Sequence, residues 1–280
     1  MNILVTGHKG FIGKNLFPKL QSRFSDNIIG LDIKDGNDLL TCELPRADVI
    51  IHLAGLSGVR QSLDNPTEYW KQNVIVSQRI FDHYAGKRIM YASSSTAYEP
   101  WRNPYALSKH AIEQIAPPNS LGMRFTTAYG PGGREQMLIP KILRNDIQWI
   151  NTNHKRDFIH VNDLIDALHM LISERQINGI IDIGSGTSHQ ITDLMKHFGI
   201  DFEGRIGGEN ERIDNKANIE LLTKYHWKPV YNLYDYIFRK YDPPVIRNPY
   251  SLKIPRTKKN EKPQVQLVRP FFFEKKIQNS

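Results

Sequence analysis

The stretch MNILVTGHKGFIG at the N-terminus constrains this chain more than any other. Residues 2–6 are a short apolar run with β-branched members, the pattern of a buried strand. Glycines follow at positions 7, 10 and 13, and Phe11, Ile12, Leu16, Phe17 and Leu20 then recur at helical spacing over residues 11–22. Pro18 lies inside this helix and is expected to shorten or kink it. In such a strand–turn–helix unit Gly7 permits the tight turn, Gly10 lets backbone amides approach a ligand, and Gly13 lets the helix lie close to the sheet. The amides of Gly10, Phe11, Ile12 and Gly13 then face an anion at the positive end of the helix dipole. A second strand over 27–32 closes a βαβ unit and ends in Asp32, 19 residues after Gly13 and 25 after Gly7. That is where an acid binds the adenosine ribose of a dinucleotide. A carboxylate there accepts from the 2′-hydroxyl and repels a 2′-phosphate, which points to NAD over NADP. The neighbouring Lys34 is a cation able to tolerate the phosphate.

The rhythm of strand and helix continues. Strands are expected at 48–53, 88–92 and 122–125, with helices at about 66–85 and 104–115 between them. Alternation of this kind indicates a parallel sheet covered on both faces. After Pro131 the pattern weakens: helices near 136–145, 161–174, 190–198 and 215–224, a strand at 147–150, a strand or turn at DFIHV, and a strand at 180–183. The expected fold is α/β: a Rossmann-type, doubly wound parallel sheet over 1–131 with a returning strand near 147–183, a smaller C-terminal substrate-binding subdomain over 132–240, and an extended basic tail over 241–280. The tail holds nine Lys/Arg against three acids and six prolines, so it carries +6 of the chain's net +8. A charge so localised reads as a solvated arm, with Phe271–Phe273 available to dock, and nucleic acid is not an expected partner.

Cys42 is the single cysteine, so no disulfide forms within the chain and a reducing compartment is implied. No apolar run approaches the roughly 20 residues of a membrane helix, and MNILV opens directly on the fold. A cytoplasmic protein without membrane contact is expected. The histidines show no metal-ligand spacing, so no metal is expected. Ser185 in GSGTS lacks the nucleophile-elbow pattern, which argues against a hydrolase.

The sequence YASSSTAYE at 91–99 follows a strand, and NPYALSKH at 103–110 opens a helix. Tyr105 and Lys109 are four apart and share a helix face. A phenol, with a pKa of about 10, is a poor base at neutral pH; a nearby ammonium stabilises the phenolate. A serine hydroxyl can pass the proton. Such a set oxidises an alcohol, tyrosine taking the proton while hydride goes to NAD.

With these motifs in order, the chain resembles the extended short-chain dehydrogenase/reductases, of the NAD-dependent epimerase/dehydratase group acting on nucleotide sugars. The resemblance runs from residue 1 to about 237 and includes DVIIHLAG at 48–55, Asn73, RFTTAYGPGG at 124–133, RDFIHVNDL at 156–164, IDIGSGTS at 181–188 and DNKANIELLTKYHWKPVYNL at 214–233. It implies Ser94 as the catalytic hydroxyl, with Ser93 or Ser95 in its place if the turn differs. It implies Tyr105 as the base, and Lys109 as a partner that also holds the nicotinamide ribose. Asp38 and Leu39 resemble the adenine contacts, and Leu53, Ala54 and Gly55 the strand end that lines the dinucleotide. Asn73 resembles a support of the strand-end backbone. On the substrate side Arg156 resembles the arginine that meets the diphosphate, Arg205 and Glu209 the pair near the nucleoside, Asp163 a local brace and Trp227 a packing residue. Thr127 stands where the family usually has an asparagine that contacts substrate phosphate.

Two subgroups are disfavoured. Ser95 and Thr96 stand where dehydratases carry an Asp–Glu pair. The Cys and His of the fucose synthases are also missing, since Thr96 replaces the Cys and GPGGREQ offers no His. The resemblance therefore implies a nucleotide-sugar epimerase that oxidises a hydroxyl, C4 by expectation, and re-reduces it. A dehydrogenase or reductase of the same superfamily on a non-nucleotide or keto-sugar substrate, and a non-catalytic NAD-binding protein, are the alternatives. The family's dimer buries the helix of Lys109 in a four-helix bundle. Here that helix ends at Ala116-Pro117-Pro118, which weakens the expected homodimer.

Overall fold

The structure, a computed structural model, describes residues 1–24 and 27–241. Its centre is a six-stranded, all-parallel sheet built from β1 (Asn2–Thr6), β2 (Asn27–Leu31), β3 (Val49–His52), β4 (Arg88–Ser94), β5 (Leu121–Phe125) and, much later in the chain, a strand at Gly179–Ile183. The order across the sheet is β2–β1–β3–β4–β5 followed by that late strand. Helix α1 (Phe11–Arg23) connects the first two strands, α2 (Val59–Asp64), α3 (Pro66–Trp70) and α4 (Val76–His83) the third and fourth, and α5 (Pro104–Ile115) the fourth and fifth. Between β1 and β3 the connections leave in opposite directions, and this switch point opens a crevice at the carboxyl ends of the strands.

Alternation within the strands explains the two layers. Ile3, Val5, Val49, Ile51, Met90 and Met123 face α1 and join Leu16 and Leu20 in one apolar cluster. Leu4, Ile50, Ile89 and Tyr91 point the other way and pack on Val76, Ile80, Phe81 and Ile112 of α4 and α5. A strand buried on both faces reads as continuous hydrophobicity, as these do.

The second half adds β6 (Thr127–Tyr129), α6 (Leu138–Leu143), β7 (Trp149–Asn151), β8 (Lys155–His160), α7 (Val161–Ser173), β9 (Gly179–Ile183), β10 (Ser188–Gln190), α8 (Ile191–His197), β11 (Glu203–Arg205), α9 (Glu220–Lys224) and α10 (Leu233–Lys240). Here β10, β8 and β6 form a small sheet, and β11 pairs in parallel with β7. A third apolar cluster, with Ile139, Ile142, Phe158, Leu194 and Ile237, lies beneath them.

Several boundaries differ from expectation for physical reasons. α1 runs unbroken to Arg23 with Pro18 inside it and exposed, so the carbonyl that loses its donor lies on the solvent side. The segment expected as one helix over 66–85 is interrupted by a π-helical turn at Lys71–Ile75 that carries Asn73. The strand near 147–150 stays out of the central sheet, and the returning strand is β9 alone. The helix expected over 215–224 shrinks to α9, because Asn215, Ala217 and Asn218 bond instead to groups in β8 and β9. Residues 242–280, nearly all of the basic tail, lie outside the described residues. Among the described residues no helix is long and apolar enough to cross a membrane, and no cluster of potential metal ligands occurs.

Candidate active site

The glycine turn sits at the switch point. Gly7 has a positive φ of 72°, and a Cβ there would lie 2.6 Å from the backbone nitrogen of Ala54. A Cβ on Gly13 would lie 2.2 Å from the carbonyl oxygen of Gly7. Turn, strand end and helix are therefore as close as backbone allows. α1 begins at Gly10 with no side-chain cap and no acid in its first turn, so its first amides stay available to an external anion. Asp32, buried at the end of β2, accepts from the amide of Lys9 at 2.9 Å and of Lys34 at 2.9 Å. Its carboxylate thus ties the turn to the second strand. Asp38 caps its own turn by accepting from the Leu40 amide, and Arg79 holds the carbonyls of Leu39 and Cys42. Leu53 and Ala54 bond to Thr6. Gly55, φ 150°, lies under Asn73 and the Lys109 ammonium. Asn73 clamps Leu56 through both its backbone groups and bonds to Ser108 of α5. This crevice of backbone amides, close-set glycines and one acid suits the pyrophosphate and ribose of a dinucleotide.

Across the end of β4 stand Ser94, Tyr105 and Lys109. Asn103 caps α5 by accepting from the Ala106 amide at 2.8 Å, and Pro104 follows at the first helical position. The helix then carries Tyr105, Lys109 and Glu113 on successive turns of one face. The Ser94 hydroxyl accepts from the amide and hydroxyl of Thr96 at 3.2 and 3.0 Å. Burial pushes the Tyr105 phenol up, while the nearby Ser94 hydroxyl and the Arg134 guanidinium pull it down. Lys109 is 6% exposed and donates to the carbonyl of Ala92 at 2.8 Å. Burial lowers its pKa to about 8, against the opposing pull of Glu113. Glu113 in turn accepts both nitrogens of a bidentate Arg124, at 2.8 and 2.6 Å, and the hydroxyl of Ser93.

On the far side of the cleft Arg156 donates to the carbonyls of Lys155 at 2.7 Å and Ile213 at 3.0 Å, and reaches Glu211 at 3.4 Å. Thr127 accepts from Asn215 at 3.1 Å. Arg205 is exposed, paired with Glu203 and laid over Trp149, whose other cationic neighbour is Arg60. Glu209 offers its backbone carbonyl to Arg102. The carboxylate gathered among the arginines belongs to Glu211.

Residues 3–184 match the profile of the NAD dependent epimerase/dehydratase family. The chain belongs to this family. Among curated relatives it is similar to the UDP-glucose 4-epimerase of Yersinia enterocolitica, at 27% identity over 76% of this chain and 85% of that one. It is also similar to the GDP-6-deoxy-D-talose 4-dehydrogenase of Aggregatibacter actinomycetemcomitans, at 27% identity over 70% of this chain and 78% of that one. Its fold is that of the UDP-glucuronic acid 4-epimerase from Bacillus cereus, solved with UDP-glucuronic acid and NAD, with a TM-score of 0.74, 23% identity and coverage of 86% and 98%.

Within this epimerase/dehydratase framework the structure adds residues that spacing did not reveal. Arg134, in the loop after β6, donates to the Ser57 carbonyl at 3.2 Å and is the cation that lowers the Tyr105 phenol. Tyr69 bonds to the same carbonyl at 3.0 Å, and its ring meets that of Tyr105 edge to face. Asn215 joins Thr127, Ser95 and the backbone of Asp157. Buried Asp157 gathers Ser185, Gly186 and Ala217 around one carboxylate. The local signals for these were a GREQ segment after a glycine pair, an Asp within RDF and an Asn within DNKAN.

Proposed function

We propose that this chain is an NAD-dependent nucleotide-sugar epimerase that oxidises a sugar hydroxyl, at C4, to a ketone and reduces it again on the other face. The observation that carries this reading is the placement of Ser94, Tyr105 and Lys109 across the end of β4 from the glycine crevice. Bound NAD supplies the acceptor of the hydride and, on return, its donor.

The residues divide the remaining work. The first turn of α1 binds the pyrophosphate, Asp32 the adenosine ribose, and Asp38, Leu39, Leu53, Ala54 and Gly55 line the adenine and ribose path. Tyr105 Oη takes the proton of the sugar hydroxyl and gives it back in the reverse step. Ser94 Oγ, close enough to Tyr105 to lower its phenol, orients that hydroxyl. Lys109 Nζ, held by Ala92, supplies positive charge beneath the nicotinamide ribose. Thr127 and Arg156 contact the phosphates, with Arg205 and Glu209 toward the nucleoside. A cytoplasmic enzyme completes the reading, with the family's homodimer weakened by the short α5.

The similarity to a 4-dehydrogenase supports a second reading, net oxidation or reduction at one carbon. One experiment separates them. The protein is incubated with NAD and UDP- or GDP-sugars, and C4 isomers and NADH are assayed. C4 isomers without net NADH support the epimerase, and stoichiometric NADH supports the dehydrogenase. Neither product from any sugar sinks both. Tyr105→Phe is expected to lower turnover about 10²- to 10⁴-fold.

A further inference from the structure

The loop from Ile206 to Ile213 crosses the substrate side and is tied to both halves of the cleft. The carbonyls of Glu209 and Asn210 accept from Arg102 and from Asn103, the cap of α5. The Ile213 carbonyl accepts from the Lys155 amide and from Arg156. Arg212 donates to the Ser95 carbonyl at 2.7 Å and to Glu99 at 3.3 Å. At its centre one oxygen of Glu211 accepts from Arg60 at 3.2 and 3.3 Å, and the other from Arg156 at 3.4 Å. His154 Nδ1 accepts from the same Arg156 nitrogen at 2.9 Å and lies 3.5 Å from the same carboxylate. Its pKa is pushed down to about 4, first by burial and then by Arg156, so it faces Glu211 as a neutral ring.

We propose that Glu211 is an internal anion that competes with the diphosphate of a nucleotide-linked substrate for Arg60 and Arg156, so that this loop sets how tightly the substrate is held. The inference rests on the reading of Arg156 as a diphosphate residue. Three features separate this contact from a structural ion pair. Its distances exceed the roughly 2.7–2.9 Å of a good charge-assisted bond, whereas Glu113 and Arg124 meet in two bonds, the shorter of 2.6 Å. The Glu211 side chain is 22% exposed against 0% for Glu113. Arg156 is aimed by the carbonyls of Lys155 and Ile213, so its guanidinium keeps its direction when the carboxylate leaves. A diphosphate offers more oxygens and more charge to the same two guanidinium forks than one carboxylate does. Arg60, from α2, is thereby a second cation for that group.

The test is calorimetric titration of UDP and of GDP, each with saturating NAD, into wild type, Glu211→Gln and the double variant Arg60→Met/Glu211→Gln. Loss of two weak ion pairs predicts that Glu211→Gln binds one of these nucleotides about five- to tenfold more tightly. The double variant is expected to lose that gain. Equal or weaker binding by Glu211→Gln overturns the role of Glu211 while leaving the diphosphate reading standing. A gain that survives in the double variant overturns the role of Arg60. If neither nucleotide binds wild type or variant, the diphosphate reading itself fails, and this inference with it.

Discussion

At the scale of single residues, the glycine turn is governed by contact distance. Gly7 combines a positive φ with a Cβ position 2.6–2.9 Å from backbone atoms of Leu53 and Ala54. Both conditions exclude a side chain, and the obstructing atoms are backbone that cannot swing away. Gly7→Ala is expected to destabilise the protein by about 2 kcal/mol or more, measured by denaturant unfolding. Gly36, also at positive φ, has nothing within 4 Å of its added Cβ, so Gly36→Ala serves as the comparison for φ alone. Lys109 makes a different prediction. Burial sets its pKa at about 8, so it is charged below that pH and neutral above it. If its charge assists Tyr105, kcat/KM falls as pH rises through about 8. A profile flat from pH 7 to pH 9 would show that this proton does not matter to the reaction.

At the scale of elements, α5 does most to build the site. Its start at NPYALSKH and the four-residue spacing of Tyr105 and Lys109 were legible, because helix start signals and helix periodicity are local. The role of Glu113 was not, since its partner Arg124 comes from β5. Glu113→Gln breaks a buried pair and is expected to cost about 3 kcal/mol. The carboxylate also raises the Lys109 pKa, so its loss moves the alkaline limb of the rate profile to lower pH. A merely structural residue would lower stability without moving that limb. Asn103→Ala is expected to cost about 1 kcal/mol in thermal or chemical melts, through the lost cap. The π-helical turn at Lys71–Ile75 shows the opposite case. Nothing in its composition breaks a helix, yet the register shifts where Asn73 clamps Leu56 on the neighbouring strand end.

At the scale of the molecule, four buried histidines, His169 among them, couple stability to pH. His52, bonded to Thr6 and near Ser77, is pushed down to about 3, and His154 and His160 to about 4, burial being the main cause in each. Each stays neutral in the folded protein while the unfolded chain takes up a proton near pH 6.5. Their contribution is therefore complete above about pH 6.5 and is lost progressively as pH falls toward 4. Denaturant midpoints measured from pH 7.5 down to pH 4.5 are expected to fall through that range. A constant midpoint would show that these rings are not held neutral.

The same division separates what was written locally from what was not. The sequence by itself determined the parallel α/β architecture, the glycine turn with Asp32, and the Tyr105–Lys109 face. Those depend on steric limits within a few residues and on strand and helix periods. Only the tertiary structure brought Arg60 to Glu211, across 151 positions, set Arg134 beside Tyr105, and put Glu211 rather than Glu209 among the arginines. Such meetings are decided by how the small sheets and the 206–213 loop pack over the end of the central sheet. No local preference of the chain encodes that distance.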